Sequence, residues 1–109
     1  MAVPTGQYSG TWNSDGGAGS GKVTVTVAGP TEGDLSFTYQ DQVIKPTKVT
    51  AKVTDTQVEF TCDVELGGYQ IRTTFQGTVD NKAISGSYQS KSAADGSALD
   101  SGTWKATLQ

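Results

Sequence analysis

The sequence predicts an all-β protein, and we expect an eight-stranded antiparallel up-and-down barrel. Three observations support this fold class. Apolar and polar residues alternate along nearly the whole chain, glycine recurs inside the alternating segments, and turn-forming residues separate them. Hydrophobic residues make up 34% and charged residues 17% of the chain, which together with abundant Gly, Ser and Thr is typical of a β-rich domain rather than a helical bundle.

Eight segments alternate strictly enough to predict strands, and no segment has the periodicity of a helix. The predicted strands cover residues 7–13, 21–28, 34–40, 46–54, 57–66, 69–79, 83–90 and 101–108. One face of these strands is almost wholly Thr, Ser, Gln, Lys and Glu, so the apolar face must point inward. The predicted inward set is Tyr8, Trp12, Val23, Val25, Val27, Leu35, Phe37, Tyr39, Val49, Ala51, Val53, Val58, Phe60, Cys62, Val64, Leu66, Tyr69, Ile71, Phe75, Val79, Ile84, Tyr88, Trp104, Ala106 and Leu108.

Turn chemistry sets the register of neighbouring strands. A two-residue glycine loop at residues 67–68 suits the positive φ angles of a tight hairpin. This loop would place Phe60 opposite Phe75 on the inner face and Asp63 opposite Arg72 on the outer face. An aromatic residue then lies opposite an aromatic residue on the inner face, and an acid lies opposite a base on the outer face, which supports this register.

Interior glycines recur on the inner face. Four phrases place a glycine two positions from a bulky apolar residue on the same strand face, at residues 8–12, 75–79, 84–88 and 101–104. Such glycines suit places where a sheet bends sharply or where two backbones approach closely. A loop at residues 81–82 would put Gly77 opposite Gly86, and we expect Gly10 and Gly102 to face each other similarly between the first and last strands.

A sheet with one apolar face must bury that face. Closing eight strands into a barrel buries it and removes the sheet edges, whereas two stacked sheets, a β-sandwich, would leave edges to protect. Residues 9–12 and 101–104 both read Ser-Gly-Thr-Trp, which indicates that the first and last strands lie in similar surroundings and pair with each other. We prefer the barrel and keep the sandwich as the alternative.

Length and charge exclude several classes of function. We expect one domain, residues 1–109, which is long enough for a single core. The net charge of −3 argues against nucleic acid and anionic membrane partners, because both need a basic surface. We expect no membrane span, since no apolar run is long enough, and the start of the chain shows no signal-peptide pattern, which leaves the compartment open.

The residue types argue against catalysis and metal binding. The chain has no histidine, and its one cysteine, Cys62, is expected on the inner face as a small core residue. The glycine-rich stretch at residues 16–22 resembles a phosphate-binding loop, but a strand pattern follows it where that motif needs a helix. We therefore predict no catalytic residue, no metal site and no cofactor.

Aromatic residues carry the positive signal for function. In an up-and-down barrel the loops at residues 13–21, 40–45, 67–68 and 90–100 gather at one end. Four inward aromatic residues lie toward this loop-rich end and a fifth lies deeper on the last strand, and they are Trp12, Tyr39, Tyr69, Tyr88 and Trp104. Aromatic rings with tyrosine hydroxyls are suited to line a cup for a small apolar or aromatic ligand. The alternative is that they fill the interior, because an eight-stranded barrel holds either side chains or one small ligand.

Two short motifs resemble known small barrels. Gly10-Thr-Trp12 on the first strand is similar to the Gly-x-Trp signature of lipocalins and avidin-like barrels, and Trp104-Lys-Ala-Thr-Leu108 resembles the Trp-Lys segment near the end of avidins. The chain also resembles, more diffusely, Gly-x-Trp-rich β domains of bacterial exported proteins. The resemblance implies a meander barrel with a ligand cup at its open end, in an exported or secreted bacterial protein.

Three function classes follow from these observations. The first is non-enzymatic binding of a small apolar or aromatic ligand in the open end of the barrel, by a protein that is monomeric because its outer wall offers no apolar patch. The second is a structural or adhesive module of a larger exported protein. The third is a barrel enzyme of cyclase or isomerase type that works through pocket shape and tyrosine hydroxyls.

Overall fold

A computed structural model describes residues 5–16, 19–39, 42–46, 48–66 and 68–109 of the chain, with the backbone alone described at Lys48 and Leu66. These ranges contain nine strands and no helix. The strands are β1 (Gly6–Ser14), β2 (Ser20–Val27), β3 (Gly33–Tyr39), β4 (Gln42–Ile44), β5 (Lys48–Val53), β6 (Gln57–Leu66), β7 (Tyr69–Asp80), β8 (Ala83–Ser92) and β9 (Ala98–Leu108).

All nine strands belong to one antiparallel sheet that curls into a half-barrel. The order across the sheet is β4-β3-β2-β1-β9-β8-β7-β6-β5. The first and last strands therefore pair at the centre of the sheet, as the two Ser-Gly-Thr-Trp segments predicted, and Trp12 lies opposite Trp104. The curl lets one continuous sheet cover its own apolar face, so the prediction of an all-β, barrel-like fold is confirmed, without the second stacked sheet of a sandwich.

The expectation of eight strands is wrong by one. Residues 40–45 were expected to form a loop, but they contain the short strand β4, which folds back on the end of β3 and places Ile44 opposite Phe37. Ile44 packs against the core, and this burial explains why so short a segment pairs. The next strand begins at Lys48 instead of residue 46, because Pro46 has no N–H to donate to a ladder.

The two edge strands of the sheet are β4 and β5, which do not pair with each other in the described part of the chain, so the sheet forms a half-barrel and not the closed barrel that we expected. The backbone N–H of Val53 donates to the carbonyl oxygen of Pro30 at 2.8 Å. Strand β5 also contacts β3, where Gly33 lies close to Ala51. These contacts draw the half-barrel together at the end where β3 begins.

The hairpin of β6 and β7 has the register that its glycine turn predicted. Phe60 lies opposite Phe75 on the inner face, and Asp63 lies opposite Arg72 on the outer face. The Arg72 Nε donates to the Asp63 carboxylate at 3.0 Å. Gly67, within this turn, lies outside the described residues.

The hairpin of β7 and β8 also has the predicted register. Gly77 lies opposite Gly86, so two interior glycines meet on neighbouring strands. Asn81 and Lys82 form the turn with positive φ angles of 50° and 72°, as a tight hairpin of this type requires.

The expected pairing of Gly10 with Gly102 is wrong. Because Trp12 lies opposite Trp104 in the β1–β9 ladder, Gly10 falls opposite Ala106 and Gly102 opposite Ser14. The two segments are similar in sequence, but they run antiparallel, so aligning their tryptophans moves their glycines apart.

Among the described side chains, the inner face forms the core that the alternation predicted, with one exception, while the side chain of Leu66, which was also expected inside, lies outside the described part of the structure. The buried apolar residues are Tyr8, Trp12, Val23, Val25, Val27, Leu35, Ala51, Val58, Phe60, Cys62, Val64, Phe75, Ile84, Tyr88, Trp104 and Ala106. Phe37, Tyr39, Val49, Val53, Ile71, Val79 and Leu108 pack against them while partly buried. Tyr69, which was also expected inside, is 74% exposed, because the strand alternation continues to the tip of the β6–β7 hairpin beyond the packed core.

Three rings of the inner face lie opposite a glycine of the neighbouring strand. These glycine–aromatic pairs are Trp12 with Gly21, Trp104 with Gly86 and Tyr88 with Gly102. A β-carbon at Gly21 would lie 2.6 Å from Nε1 of Trp12, and one at Gly102 would lie 2.7 Å from Cε1 of Tyr88. Gly21 and Gly102 therefore leave the space that the neighbouring ring occupies, whereas a β-carbon at Gly86 would meet the backbone of Gln76 and Gly77.

Candidate functional site

A cavity of about 270 Å³ opens at the end of the half-barrel where β1 and β3 end. It lies on the inner face, at the end opposite the contact between Val53 and Pro30. Strands from both sides of the curled sheet line it, and the lining residues are Trp12, Phe37, Tyr39, Val64, Ile71, Thr73, Phe75, Tyr88, Ser90, Leu99 and Asp100. The inner face is therefore not completely filled by side chains at this end.

A larger depression of about 660 Å³ lies elsewhere, mainly on the outer side of β7 and β8. Polar side chains such as Arg72, Gln76 and Lys91 form most of its lining. Such a depression offers a small molecule little apolar surface to bury, and buried apolar surface is typical of ligand sites. We therefore take the smaller inner cavity as the candidate site.

A continuous series of aromatic contacts runs from the cavity into the core. Trp12 stacks on Tyr39 with ring centroids 6.2 Å apart, and it meets Tyr88 nearly at a right angle at 5.8 Å. Phe75 then stacks on Tyr88 at 5.4 Å and meets Trp104 at a right angle at 5.5 Å. These offset and edge-on arrangements are the favoured ones for aromatic pairs. The aromatic rings that line the cavity thus pack against aromatic rings of the core.

The Trp12 ring is held on two sides. Its indole Nε1–H donates to the carbonyl oxygen of Thr38 at 2.9 Å, and Gly21 on the neighbouring strand leaves room for the ring. The side chain is 5% exposed, so the indole presents only part of its surface to the cavity. A buried indole N–H needs an acceptor, and this one has it without using a group inside the cavity.

Asp100 places a carboxylate on the cavity wall. Its Oδ1 accepts a hydrogen bond from the Ser14 hydroxyl at 2.6 Å, and its Oδ2 accepts one from the Tyr88 hydroxyl at 2.9 Å. Asp100 is half-buried and has no ion-pair partner in the described part of the chain. Each carboxylate oxygen can accept a further hydrogen bond, so the group has acceptor capacity left for a ligand.

A second polar pair lies next to Asp100. The hydroxyls of Thr73 and Ser90 are 2.8 Å apart and hydrogen-bonded to each other. Thr73 is buried, and no buried side-chain nitrogen or oxygen in the described ranges lacks a hydrogen-bond partner. The cavity therefore has a polar strip on β7, β8 and β9 facing a mainly aromatic and aliphatic remainder.

The Tyr88 hydroxyl acts as a donor. Burial raises the pKa of Tyr88 well above its ordinary value, and the hydrogen bond to the negatively charged Asp100 raises the pKa further. Tyr88 therefore keeps its proton at neutral pH, and its hydrogen bond holds the Asp100 carboxylate in place.

Three of the five predicted site residues meet at the cavity. Trp12, Tyr39 and Tyr88 line it together, from strands β1, β3 and β8. Trp104 is 2% exposed and lies below the cavity, where its indole N–H donates to the carbonyl oxygens of two outer-face residues, so it belongs to the core. Tyr69 is not among the lining residues.

The alternation pattern did not reveal Leu99 and Asp100, because the last strand was expected to begin three residues too late. β9 begins at Ala98 instead of residue 101, and its pairing with β8 shifts by one residue after Ser90. This bulge leaves Leu99 without a partner, and a bulge redirects side chains relative to the regular alternation. Leu99 thereby joins the cavity lining although it is 52% exposed. Asp100 lies an even number of residues from Trp104, so the alternation of side chains along the strand already places both on the inner face.

Cys62 is a core residue, as its inward position predicted. The side chain is 1% exposed, and burial raises the pKa of the thiol to about 12. A thiol that stays protonated at neutral pH is a poor nucleophile, so the structure offers no reactive cysteine at this position.

The described residues contain no helix long and apolar enough to cross a membrane, and no group of three or more residues that could hold a metal ion. Comparison of the chain with known proteins finds no matching family model, no matching curated protein and no matching solved structure.

Proposed function

We propose that the protein binds a small apolar or aromatic molecule in the inner cavity and releases it unchanged. The observation that carries this proposal is the cavity itself, about 270 Å³ in volume and lined by Trp12, Tyr39 and Tyr88. A mostly apolar hollow with a few converging polar groups is typical of small-molecule sites. The similarity of the Gly-x-Trp segment to lipocalins and avidin-like barrels agrees with a cup of this kind and with an exported bacterial protein.

The test is a titration of ¹⁵N-labelled protein with indole, followed by amide chemical shifts. We expect saturable shifts confined to the strands around the cavity, at residues such as Ser90 and Leu99. Ile71→Trp places a large ring into the cavity and is expected to abolish these shifts. Gln70→Trp places the same ring one residue away on the exposed face, so it serves as the matched control and should bind indole as the parent protein does.

Two results would refute this proposal. One is the absence of saturable shifts in the parent protein with indole and with its derivatives tryptamine, indole-3-ethanol and indole-3-acetate. The other is unchanged binding in a folded Ile71→Trp variant, which would place the indole somewhere other than the cavity. Native mass spectrometry of the same samples tests the proposal that the protein is a monomer, because a stable oligomer would contradict it.

A second candidate function rests on Tyr69. This residue is 74% exposed at the tip of the β6–β7 hairpin, and Val43 in β4 is 65% exposed. An exposed tyrosine ring at a hairpin tip suits stacking against a sugar ring, as an adhesive module would use. In this case the protein should bind an insoluble polysaccharide such as chitin, and Tyr69→Ser should lose that binding while indole binding in the cavity is retained. Absence of binding by the parent protein would count against the adhesive function.

A further inference from the structure

The charge of the cavity narrows the class of ligand. Among the described lining residues Asp100 is the one acidic side chain, and none of these residues is a lysine or an arginine. An anionic ligand would have to lose its hydration shell beside this carboxylate with no cation among the described lining residues to replace it, which is strongly unfavourable. The cavity therefore discriminates against anions and leaves neutral and cationic molecules.

The hydrogen bonds around Asp100 leave it able to bind a cation. Ser14 and Tyr88 each donate to one of its oxygens and hold the carboxylate at the wall, but a hydroxyl donor does not neutralise its charge. A charged donor from a ligand can add to these bonds, since a carboxylate has about four acceptor positions. Hydrogen bonds between two charged groups are among the stronger ones in proteins.

The rings next to the carboxylate also favour a cation. Trp12 and Tyr88 stand at 84° to each other with centroids 5.8 Å apart, and Tyr39 stacks on Trp12. Aromatic faces attract ammonium groups, most strongly tryptophan, and combinations of such rings recognise ammonium ligands. The hydroxyls of Thr73 and Ser90 add acceptor oxygens on the same wall.

We propose that the ligand is an alkylamine that carries an aromatic ring, with its ammonium group bound by the Asp100 carboxylate and its ring packed among Trp12, Tyr39 and Tyr88. This inference rests on the proposed function, because it names the chemistry of the molecule in the same cavity. It goes further in assigning to Asp100 the selection of positively charged ligands over neutral ones of the same shape.

Three indole compounds with different charges test this selection at pH 7. Tryptamine is a cation, indole-3-ethanol is neutral, and indole-3-acetate is an anion, while all three carry the same ring. We expect calorimetric titration to show tryptamine binding about tenfold more tightly than indole-3-ethanol, with indole-3-acetate the weakest.

Two variants assign the preference to one carboxylate. Asp100→Asn keeps the shape and one acceptor oxygen, so one of the two hydroxyls can still donate to it while the other accepts from the new amide. This variant should reduce tryptamine affinity to that of indole-3-ethanol. Asp95→Asn removes the same charge from the exposed turn between β8 and β9, so it should leave the preference intact. Amide spectra of both variants check that the fold is unchanged.

The possible results distinguish a failure of the proposed charge selection from a failure of the proposed ligand binding. Equal binding of all three compounds, or a preference for tryptamine that survives in Asp100→Asn, would overturn the inference about charge and leave the cavity as a site for aromatic molecules. Failure of all three compounds and of indole to bind would overturn the proposed function itself, and the inference with it.

Discussion

Replacing Gly86 with alanine should strongly destabilise the protein, although it adds a single methyl group to a strand. A β-carbon at this position would overlap the carbonyl oxygen of Gln76 and lie 2.5 Å from the Cα of Gly77, whereas ordinary contact begins at 3.4 Å. Both obstacles are backbone atoms of β7, so no side-chain rotation relieves them. The two strands must move apart at the centre of a continuous ladder.

The size of the effect follows from two contributions. Overpacking a well-packed interior costs about 1 to 3 kcal/mol, and we expect the upper end here because the obstacles are backbone. Displacing Gln76 also weakens its hydrogen bond from the Trp104 indole, now 3.0 Å long, and a net hydrogen bond contributes about 0.5 to 1.5 kcal/mol. The free energy of unfolding should therefore fall by at least about 3 kcal/mol.

Urea denaturation followed by tryptophan fluorescence measures this change. With a typical urea dependence of about 1 to 3 kcal/mol per molar, the midpoint should fall by at least about 1 M. Gly77→Ala should have a smaller effect, because its β-carbon would press mainly on the side chains of Ile84 and Trp104. Gly29→Ala is the control, since its β-carbon would meet Glu32 only at 3.8 Å. An unchanged midpoint for Gly86→Ala, or a larger loss for Gly29→Ala, would refute the reasoning.

Two further predictions concern Cys62 and the outer-face ion pair. Burial raises the pKa of the Cys62 thiol from its ordinary value of 9.0 to about 12, so the folded state holds the thiol proton more tightly than the unfolded state does. The stability that this thiol contributes is therefore fully present below pH 9 and is lost as the pH rises toward 12. The free energy of unfolding from urea titrations should fall by about 1.4 kcal/mol between pH 8 and pH 10, and a fall of the same size in Cys62→Ala would contradict this assignment. Arg72→Ala removes an exposed ion pair with Asp63 and should leave the urea midpoint unchanged at neutral pH, while a clear decrease would mean that the pair is more than a surface contact.

Local patterns predicted the parts of the fold that depend on alternation and on turn residues. The Val-Thr alternation of β2 and the turn at Asn81 and Lys82 specify a face and a register directly, and both agree with the structure. The extra strand β4 was not predicted, because three residues are too short to show alternation. Its formation depends on the burial of Ile44 against distant parts of the chain, which no local pattern reports.

The candidate site was predicted where it lies within regular strands and missed where it does not. Trp12, Tyr39 and Tyr88 follow strand parity, and they line the cavity. Leu99 reaches the cavity through the bulge in β9, and a one-residue shift has no sequence signature of its own here. Tyr69 has the correct parity but extends past the core, because parity predicts the face of a residue and not how much of the neighbouring structure covers it.

The pairing of Gly21 with Trp12 also favours one register of β2 over a slipped one. Val23, Val25 and Val27 are interchangeable under a slip of β2 by two residues, since such a slip keeps every valine inside and every threonine outside. Alternation alone therefore cannot reject the slipped hairpin. The slip that moves Val23 opposite Trp12 would bring a side chain under the ring in place of Gly21, where a β-carbon would already lie 2.6 Å from the indole nitrogen. The close fit of Gly21 against the Trp12 ring thus makes the observed alignment better packed than this slipped one.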